Sequence, residues 1–246
     1  MMRRKVSSWF LFVVLTLLLF TLGHIASASP SDDYGDYSLM TQRHTGQFYS
    51  GGSLAGQWSW VPQGSESQGS ESEVSWGDPS KSRPDSVEQF IHAGDWVLLD
   101  GYGRRDSGPY YVQRVNRELI GDGSCQNMTP LASDGGRQHY AQWTIPSYSY
   151  CLQAWGTITE RVSGKPVEDF FHSQVWSPPS ACANTYLGAR TCIRQSESWW
   201  DNNGAPGTPI TRKLERSVYL ARDVGMGFVI DQTYPYSWRA ELRSVS

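Results

Sequence analysis

Apolar and polar residues alternate along much of the chain after residue 140. The longest alternation runs from Tyr150 to Thr159, a shorter one runs from Ala141 to Ile145, and three more lie between Leu214 and Leu242. Successive side chains of a β-strand point to opposite faces, so this pattern is typical of strands that are buried on one face. It predicts an all-β fold, built as an antiparallel curved sheet or a partly open barrel or sandwich.

Turn residues divide these runs into separate elements. A strand over Glu168 to Trp176 is expected to end at Pro178-Pro179, because proline cannot donate a hydrogen bond to a neighbouring strand. Cys192 to Trp200 is a further strand candidate, and the polar segment Asp201 to Gly204 suits a turn with positive φ. Only Ser86 to Ile91 favours a short helical turn.

The first 28 residues have the features of a secretory signal peptide. Arg3, Arg4 and Lys5 precede a 15-residue apolar run, and small residues at 26–28 follow it as a cleavage site. The run is shorter than the roughly 20 residues that a transmembrane helix needs. We therefore expect export of a product that begins near Ser29, secreted or at the cell surface and without a membrane span after cleavage; an uncleaved N-terminal anchor is the alternative.

Composition divides the rest of the chain into three segments. Residues 29–53 lack periodicity and are expected to form a mobile arm. Residues 54–87 are expected to hold one short strand and a low-complexity Ser/Gly/Glu loop, because the sequence Gln-Gly-Ser-Glu-Ser occurs twice in succession from residue 63. Residues 88–246 are predicted to form a single β domain stapled by disulfides.

Charge excludes one class of partner. Removal of residues 1–28 from the 246-residue chain leaves 218 residues, with 18 basic against 24 acidic side chains and a net charge of −6. Nucleic acids select basic surfaces, so a nucleic-acid partner is not expected.

We expect a monomer that binds a small amphiphile or a polysaccharide.

The four cysteines all lie in the part predicted to be exported. An oxidising compartment favours disulfides, and three pairings are open in principle. Short separations favour Cys125 with Cys151 and Cys182 with Cys192. Metal binding would need closely spaced pairs such as C-x-x-C, which are missing, so no metal site is predicted.

No catalytic residue or cofactor is predicted, because the chain has no recognisable catalytic motif and its histidines are not spaced as metal ligands. A pair of carboxylates for glycoside hydrolysis remains the alternative, but Glu168 and Asp169 are adjacent and would point to opposite faces of a strand. Partners from other strands could complete a pair. The candidates are Glu160, Glu168, Asp169, Glu197 and Asp201.

Aromatic residues are abundant, with 10 Trp, 13 Tyr and 5 Phe after residue 28. Many of them must fill the core, but exposed rings are also what β proteins use to bind sugars or apolar chains. Trp199 and Trp200 are adjacent, so at least one ring can face a ligand, and Tyr234 and Tyr236 flank a proline in a loop. These four residues are the predicted binding site.

The segment Val218 to Ile230 resembles the Tyr-Ala-x-Gly-Val-Gly strand-turn-strand signature of secreted bacterial β half-barrel proteins, with Asp223 where that pattern usually has glycine. Those proteins resemble proteins with the lipoprotein-carrier fold. The resemblance implies a curved antiparallel sheet that cups an apolar ligand.

Together these observations predict an exported, non-catalytic binding or cell-surface protein, whose ligand is an apolar or amphiphilic molecule or a carbohydrate. A secreted hydrolase of extracellular polymers is the alternative. It would be favoured if two or more of the five candidate carboxylates met in one aromatic-lined cleft. An adhesive or structural protein is the third class, which buried rings and a lack of concavity would favour.

Overall fold

The structure is a computed structural model of the chain. It describes residues 32–38, 44–50, 53–63, 71–77, 86–103 and 110–245, and Asp33–Ser246 form one compact unit. The predicted signal peptide, residues 1–28, lies outside the described residues.

Strands make up most of the described chain, with one short helix before them. The helix α1 spans Tyr34–Ser38. The strands are β1 (His44–Ser50), β2 (Ser53–Gln63), β3 (Glu71–Gly77), β4 (Ser86–Ala93), β5 (Trp96–Gly103), β6 (Tyr110–Asp122), β7 (Thr129–Pro130), β8 (Gln138–Gln142), β9 (Tyr150–Glu160), β10 (Pro166–Asn184), β11 (Gly188–Asp201), β12 (Thr211–Ala221), β13 (Gly225–Tyr234) and β14 (Trp238–Val245).

The strands form one antiparallel sheet in the order β7-β6-β9-β10-β11-β12-β13-β14-β1-β2-β3-β4-β5-β8. A short pairing of β5 with β6, from Gly101 opposite Val112 to Gly103 opposite Tyr110, links strands from the two ends of this order. Such a link requires a strongly curved sheet. The all-β, antiparallel, curved architecture predicted from the alternation is confirmed.

One face of the sheet, here called the inner face, carries the main core. Trp176 lies at its centre, where its ring meets the edges of Tyr34 at 5.9 Å and Tyr140 at 5.6 Å between centroids. The same cluster includes Phe90 of β4 and Leu242 of β14. Because these strands are far apart in the sheet order, the curvature brings their side chains together.

The predicted mobile arm, residues 29–53, needs a correction in its described part. Tyr34 and Tyr37 of α1 are fully buried in the core, and the backbone NH of Tyr34 donates to the carbonyl of Trp143 at 2.7 Å. Strand β1 pairs with β14 and β2, and its Phe48 is buried. Burial of these three aromatic rings offsets the entropy that is lost when the segment becomes ordered. Its polar residues alone would not offset that loss.

The predicted loop over residues 54–87 also contains more strand than expected. Strands β2 and β3 pair from Gln57 opposite Gly77 to Gln63 opposite Glu71, so the second copy of the repeat contributes its Glu71 and Ser72 to a strand. The helical turn expected at Ser86–Ile91 is wrong, because this segment is β4 and pairs with both β3 and β5. Backbone pairing across strands overrides a weak local preference.

The prolines Pro178 and Pro179 do not end β10, which continues to Asn184. The register between β10 and β11 shifts between Ser177 and Ser180, so the two prolines sit at an irregularity that needs no ladder hydrogen bond from them. The predicted meander of β12, β13 and β14 is confirmed. Its turn places Asp223 at φ 59°, the left-handed conformation that glycine would adopt at this position of the half-barrel signature.

The cysteines pair as their short separations favour. Cys125 and Cys151 have Cα atoms 5.1 Å apart, and Cys182 and Cys192 have Cα atoms 5.9 Å apart. The loop that carries Cys125 is held by Asp122, whose carboxylate accepts from the backbone NH groups of Ser124 and Gln126 at 3.0 Å. The first disulfide therefore joins an ordered loop to β9, and the second staples the β10–β11 hairpin.

We predict that the two disulfides stabilise the fold unequally. Their sequence separations are 26 and 10 residues, and loop-closure entropy gives about 3.5 kcal/mol for the longer loop and about 2.7 kcal/mol for the shorter. In urea unfolding, the Cys125→Ser/Cys151→Ser variant should therefore lose more stability than Cys182→Ser/Cys192→Ser. The opposite order would contradict the loop-length argument.

Candidate functional site

The neighbouring strands β10 and β11 carry most of the residues of the site. On β10 and β11, alternate residues point to the inner face, and directly opposite partners are His172 with Trp199 and Gln174 with Glu197. Strand β12 continues the second row, because Arg216 lies opposite Glu197. The sheet register therefore brings a histidine, a carboxylate and a guanidinium to one patch.

A cavity of about 320 Å³ opens beside this patch. It lies within the size range of small-molecule sites, roughly 300 to 1,000 Å³. The residues that line it are Glu88, Leu99, Gln113, Tyr140, Glu168, His172, Glu197, Trp199, Asp201 and Leu214. Aromatic rings, amide groups and carboxylates thus share one concave surface.

Glu197 is the best-connected carboxylate of the site. Its Oε1 accepts from the Nε of Arg216, and its Oε2 lies 3.2 Å from the Nε2 of His172. Burial acts to raise the pKa of Glu197, but the charge of Arg216 and the hydrogen bond from His172 outweigh it and lower the pKa to about 2. Glu197 is therefore an anion at neutral pH.

Amide side chains set the orientation of His172. The amide of Gln138 lies 2.7 Å from Nδ1 of His172, and that of Gln174 lies 3.4 Å from the same atom. With Nδ1 accepting these bonds, the ring proton is on Nε2 and is donated to Glu197. Gln195 extends the network, because it accepts from the hydroxyl of Tyr140 at 2.9 Å and donates to Gln174 at 2.9 Å.

Trp199 forms the aromatic wall of the cavity. Its ring stacks on Phe170 with centroids 5.0 Å apart and planes 6° apart, and its Nε1 donates to Asp201 at 3.1 Å. Asp201 also accepts from the backbone NH of Asn203 at 2.8 Å. Both lining residues are thereby fixed at the end of β11.

Gln113 of β6 contributes a polar atom that has no partner among the described residues. The residue is 2% exposed and lines the cavity, and its Oε1 accepts no hydrogen bond from them. A buried carbonyl oxygen without a donor costs about 1 to 3 kcal/mol. This oxygen is itself inaccessible to solvent, so Gln113 lines the cavity through its other atoms.

The four aromatic residues predicted as a binding site do not form one cluster, but two of them, Trp200 and Tyr234, both lie against Arg212, at 5.9 Å and 5.6 Å from its guanidinium carbon. Trp199 lies in the cavity, whereas Trp200 lies on the opposite, outer face of the sheet. Tyr234 and Tyr236 are exposed, with 39% and 67% of their surface accessible. Of the four, Trp199 lines the cavity.

The outer face carries a row of stacked rings across three strands. Phe171 stacks between Trp155 at 4.7 Å and Trp200 at 4.9 Å. Arg117 lies 5.2 Å from the ring of Trp155 and Arg212 lies 5.9 Å from that of Trp200. The central ring faces point at one another along the sheet, so this row stabilises cross-strand pairing.

Three of the five candidate carboxylates, Glu168, Glu197 and Asp201, line the cavity. Asp169 points away and is held by hydrogen bonds from Asn202 and from the backbone NH of Gly207. Glu160 accepts from Ser163 in the β9–β10 turn. The two remaining candidates therefore have structural contacts outside the cavity.

Several groups of this site could not be identified from the sequence: Glu88, Gln113, Tyr140 and Arg216. No motif marks them, because their proximity depends on the pairing order of β4, β6, β8 and β12. Their position in alternating segments predicts which face of the sheet a side chain is on, but not which side chains of other strands lie next to it.

A second buried pair lies close by without lining the cavity. Nδ1 of His139 is 2.5 Å from Glu118, whose other oxygen accepts from the backbone NH of His139 at 2.9 Å. Burial raises the pKa of Glu118 despite these contacts. The pair ties β8 to β6.

Among the described residues, no group of three or more His, Cys, Asp or Glu side chains is arranged to hold a metal ion. None of the helices in that part of the chain is long and apolar enough to cross a membrane.

Comparison with known proteins gives only distant likenesses. No protein-family model matches the chain, and no curated protein matches it. A crystal structure of a protein described as exported with a YmcC-like fold, from Bacteroides fragilis, has a TM-score of 0.41 and 11% identity, and covers 83% of this chain and 94% of its own. A crystal structure of a protein described as a lipoprotein, from Parabacteroides distasonis, has a TM-score of 0.41 and 10% identity, with 84% and 96% coverage.

We predict that Arg216 is needed chiefly because Glu197 is buried. Arg216→Met should lower the free energy of unfolding at pH 7 by about 3 kcal/mol, since it leaves an uncompensated charge inside the fold. Adding Glu197→Gln should recover part of that loss. Equal stability of the single and double variants in urea unfolding would instead assign the loss to packing.

The same pair predicts an acid-dependent stability. Because the pKa of Glu197 is lowered from 4.5 to about 2 on folding, acid protonates the unfolded chain first. The contribution of Glu197 is therefore present above about pH 5 and decreases as the pH falls toward 2. The slope of unfolding free energy against pH over this range should be smaller in Glu197→Gln than in the wild-type protein.

Proposed function

We propose that this chain is an exported binding protein that holds a carbohydrate in the cavity of its inner face. The observation that carries this proposal is the meeting of Trp199 with carboxylates and with the amide residue Gln113 on one concave surface of the described chain. Sugar rings present apolar CH faces to aromatic rings and hydroxyl donors to carboxylates. The lining offers both.

An apolar or amphiphilic ligand fits these walls less well. The half-barrel resemblance of Val218 to Ile230 implies a cupped apolar ligand, and Leu99 and Leu214 do line the cavity. However, an acyl chain would desolvate the lining carboxylates without forming hydrogen bonds to them, which is costly. The polar lining therefore favours the carbohydrate.

The location proposed for this function is outside the cell or at its surface. The signal-like segment at residues 1–28 supports export, and two disulfides favour an oxidising environment. A secreted protein with a concave sugar site would meet polysaccharide or its fragments there. Monomeric binding through one cavity is sufficient for this function.

A hydrolase is the second candidate, because more than two of the five candidate carboxylates meet in one aromatic-lined cavity. Phe170 lies directly opposite Asp201, and Glu168 is two residues farther along β10. Such diagonal neighbours lie roughly 7 to 8 Å apart, and their Cβ atoms somewhat closer. This spacing is compatible with two carboxylates that flank a glycosidic bond.

Position alone does not make the hydrolase the better candidate. One carboxyl group of a glycosidase must hold a proton to donate to the leaving group. Glu197 cannot be that group, because Arg216 and His172 hold its pKa at about 2. Binding needs only the groups present, whereas hydrolysis further needs a proton donor among the remaining carboxylates.

We predict that the two adjacent tryptophans differ in their effect on sugar binding. Trp199→Ala should weaken binding of oligosaccharides by at least about tenfold, since the ring lines the cavity. Trp200→Ala is the matched control and should bind as the wild type does, because its ring lies on the outer face. Isothermal titration calorimetry against a panel of neutral and amino oligosaccharides measures both affinities.

Unfolding of both variants should be followed alongside, so that a folding defect is recognised. Equal weakening by both substitutions in folded protein would reject the cavity as the site. Failure of every sugar to bind the folded wild type would reject the carbohydrate proposal.

Hydrolysis is tested separately with the carboxylates. We expect the wild type to release reducing ends from polysaccharides no faster than a Glu168→Gln/Asp201→Asn double variant. A wild-type rate about a hundredfold above this variant would establish the hydrolase instead, since acid–base catalysis contributes at least that factor. Glu160→Gln serves as the control outside the cavity.

A further inference from the structure

Exposed apolar side chains are concentrated at one edge of the sheet, here called the Tyr236 edge. Strands β9, β11, β13 and β1 run toward this edge and β10, β12, β14 and β2 run away from it, so four hairpins turn there. Single exposed apolar residues are ordinary, but several at one edge indicate an interaction surface. Five of the seven large hydrophobic side chains that are exposed in the described chain lie in these hairpins: Leu54, Val162, Ile210, Tyr234 and Tyr236.

Hydrogen bonds and ring contacts hold these hairpins in place. The carboxylate of Asp169 accepts from the side chain of Asn202 at 3.0 Å and from the backbone NH of Gly207 at 2.7 Å, which fixes the β11–β12 connection. Arg212 begins the next strand and lies 5.6 Å from the ring of Tyr234, so it joins this hairpin to the β13–β14 hairpin. The edge therefore exposes its apolar side chains from an ordered framework.

The outermost residues of the Tyr236 edge are basic or uncharged. The connections 161–165, 202–210 and 235–237 contain Arg161 and Lys165 and no acidic residue. Turns at the opposite edge carry Asp95 and Asp223 instead. The acidic side chains beside the three connections have partners within the protein: Glu160 with Ser163, Asp201 with Lys213, Glu215 with Arg212 and Asp231 with Arg239. The tips therefore combine apolar groups with a small excess of positive charge.

A lipid surface fits this arrangement better than a protein partner does. Adjacent strands lie about 4.8 Å apart, so successive hairpin tips are about 10 Å apart, and each exposes one or two apolar side chains. A protein interface needs one contiguous, closely packed core. The interface of a bilayer accepts separate apolar and aromatic side chains among its headgroups, and anionic lipids attract the cations beside them.

We propose that the Tyr236 edge docks the exported protein onto an anionic lipid surface. Val162, Ile210 and Tyr236 enter the headgroup region, and Lys165 lies beside the lipid phosphates. The edge of a curved sheet follows an arc, which a plane can meet at several points. This contact needs no membrane-spanning segment, and it does not depend on a sugar in the cavity.

The test uses the exported protein without residues 1–28, because their apolar run would itself bind lipid and lies outside the compact unit Asp33–Ser246. Binding is measured by co-sedimentation with vesicles of phosphatidylcholine alone, or of phosphatidylcholine and phosphatidylglycerol in equal parts. We expect binding to the anionic vesicles to be at least about fivefold stronger, with most of this difference lost at high salt. Hydrogen exchange should slow at residues 161–165, 202–210 and 235–237 when anionic vesicles are added.

Matched variants locate the contact. Val162→Asp and Tyr236→Asp should each weaken binding about tenfold, because each replaces an inserted apolar side chain with a charge that the surface repels. The control is Tyr148→Asp, because Tyr148 is 60% exposed but precedes β9 at the opposite edge. Lys165→Glu should weaken binding at least about fivefold, whereas Arg190→Glu, at the start of β11 on the opposite edge, should not. Urea unfolding identifies any variant with a folding defect.

Several results would overturn the proposal. They are a lack of binding to either kind of vesicle, equal binding to both kinds, and equal weakening by the edge variants and their controls. Hydrogen exchange of the wild-type protein does not depend on any variant, and protection confined to segments outside the Tyr236 edge would also overturn it. Protection at the three connections, together with weakening by the edge variants alone, would support it.

Discussion

The ion pair between Glu197 and Arg216 is the constraint on which the inner face depends. A carboxylate as deeply buried as Glu197 stays charged only if a cation and hydrogen-bond donors reach it. Arg216 from β12 and His172 from β10 do so from the two neighbouring strands. The pairing of three strands is thereby specified by electrostatics as well as by apolar packing. A slip of one residue in any of the three strands would turn the group on that strand to the outer face.

The polar network also explains why the core is divided. Below it, Trp176 packs against Tyr34 and Tyr140 in the main apolar cluster. Above it, Trp199 and Phe170 stack at the end of the strands and leave the cavity beside them. Side chains such as Gln174 and Gln195 satisfy each other between these two regions. The inner face therefore has an apolar cluster around Trp176 and a cavity beside Trp199.

The alternation of residues was sufficient to predict strands and faces, but not neighbours. It placed Trp199 and Trp200 on opposite faces, and it predicted β9, β11 and the final meander. The strands β1 to β4 were largely missed because their composition is polar and repetitive, and only pairing with distant partners orders them. For the same reason, no local pattern could predict that Gln138 bonds His172 or that Gln113 lines the same cavity as the carboxylates.

The two faces of the sheet suit different tasks because of how their rings are oriented. On the outer face, Trp155, Phe171 and Trp200 stack on one another at the spacing of adjacent strands, and arginines flank the row. Their faces are already used in cross-strand contacts, so a sugar ring would meet mainly edges. On the inner face, Trp199 stacks on a single ring and stands beside carboxylates. Polar acceptors and an aromatic wall occur together in the cavity on that side, which is the combination typical of small-molecule sites, whereas the rings of the outer row line no part of this cavity.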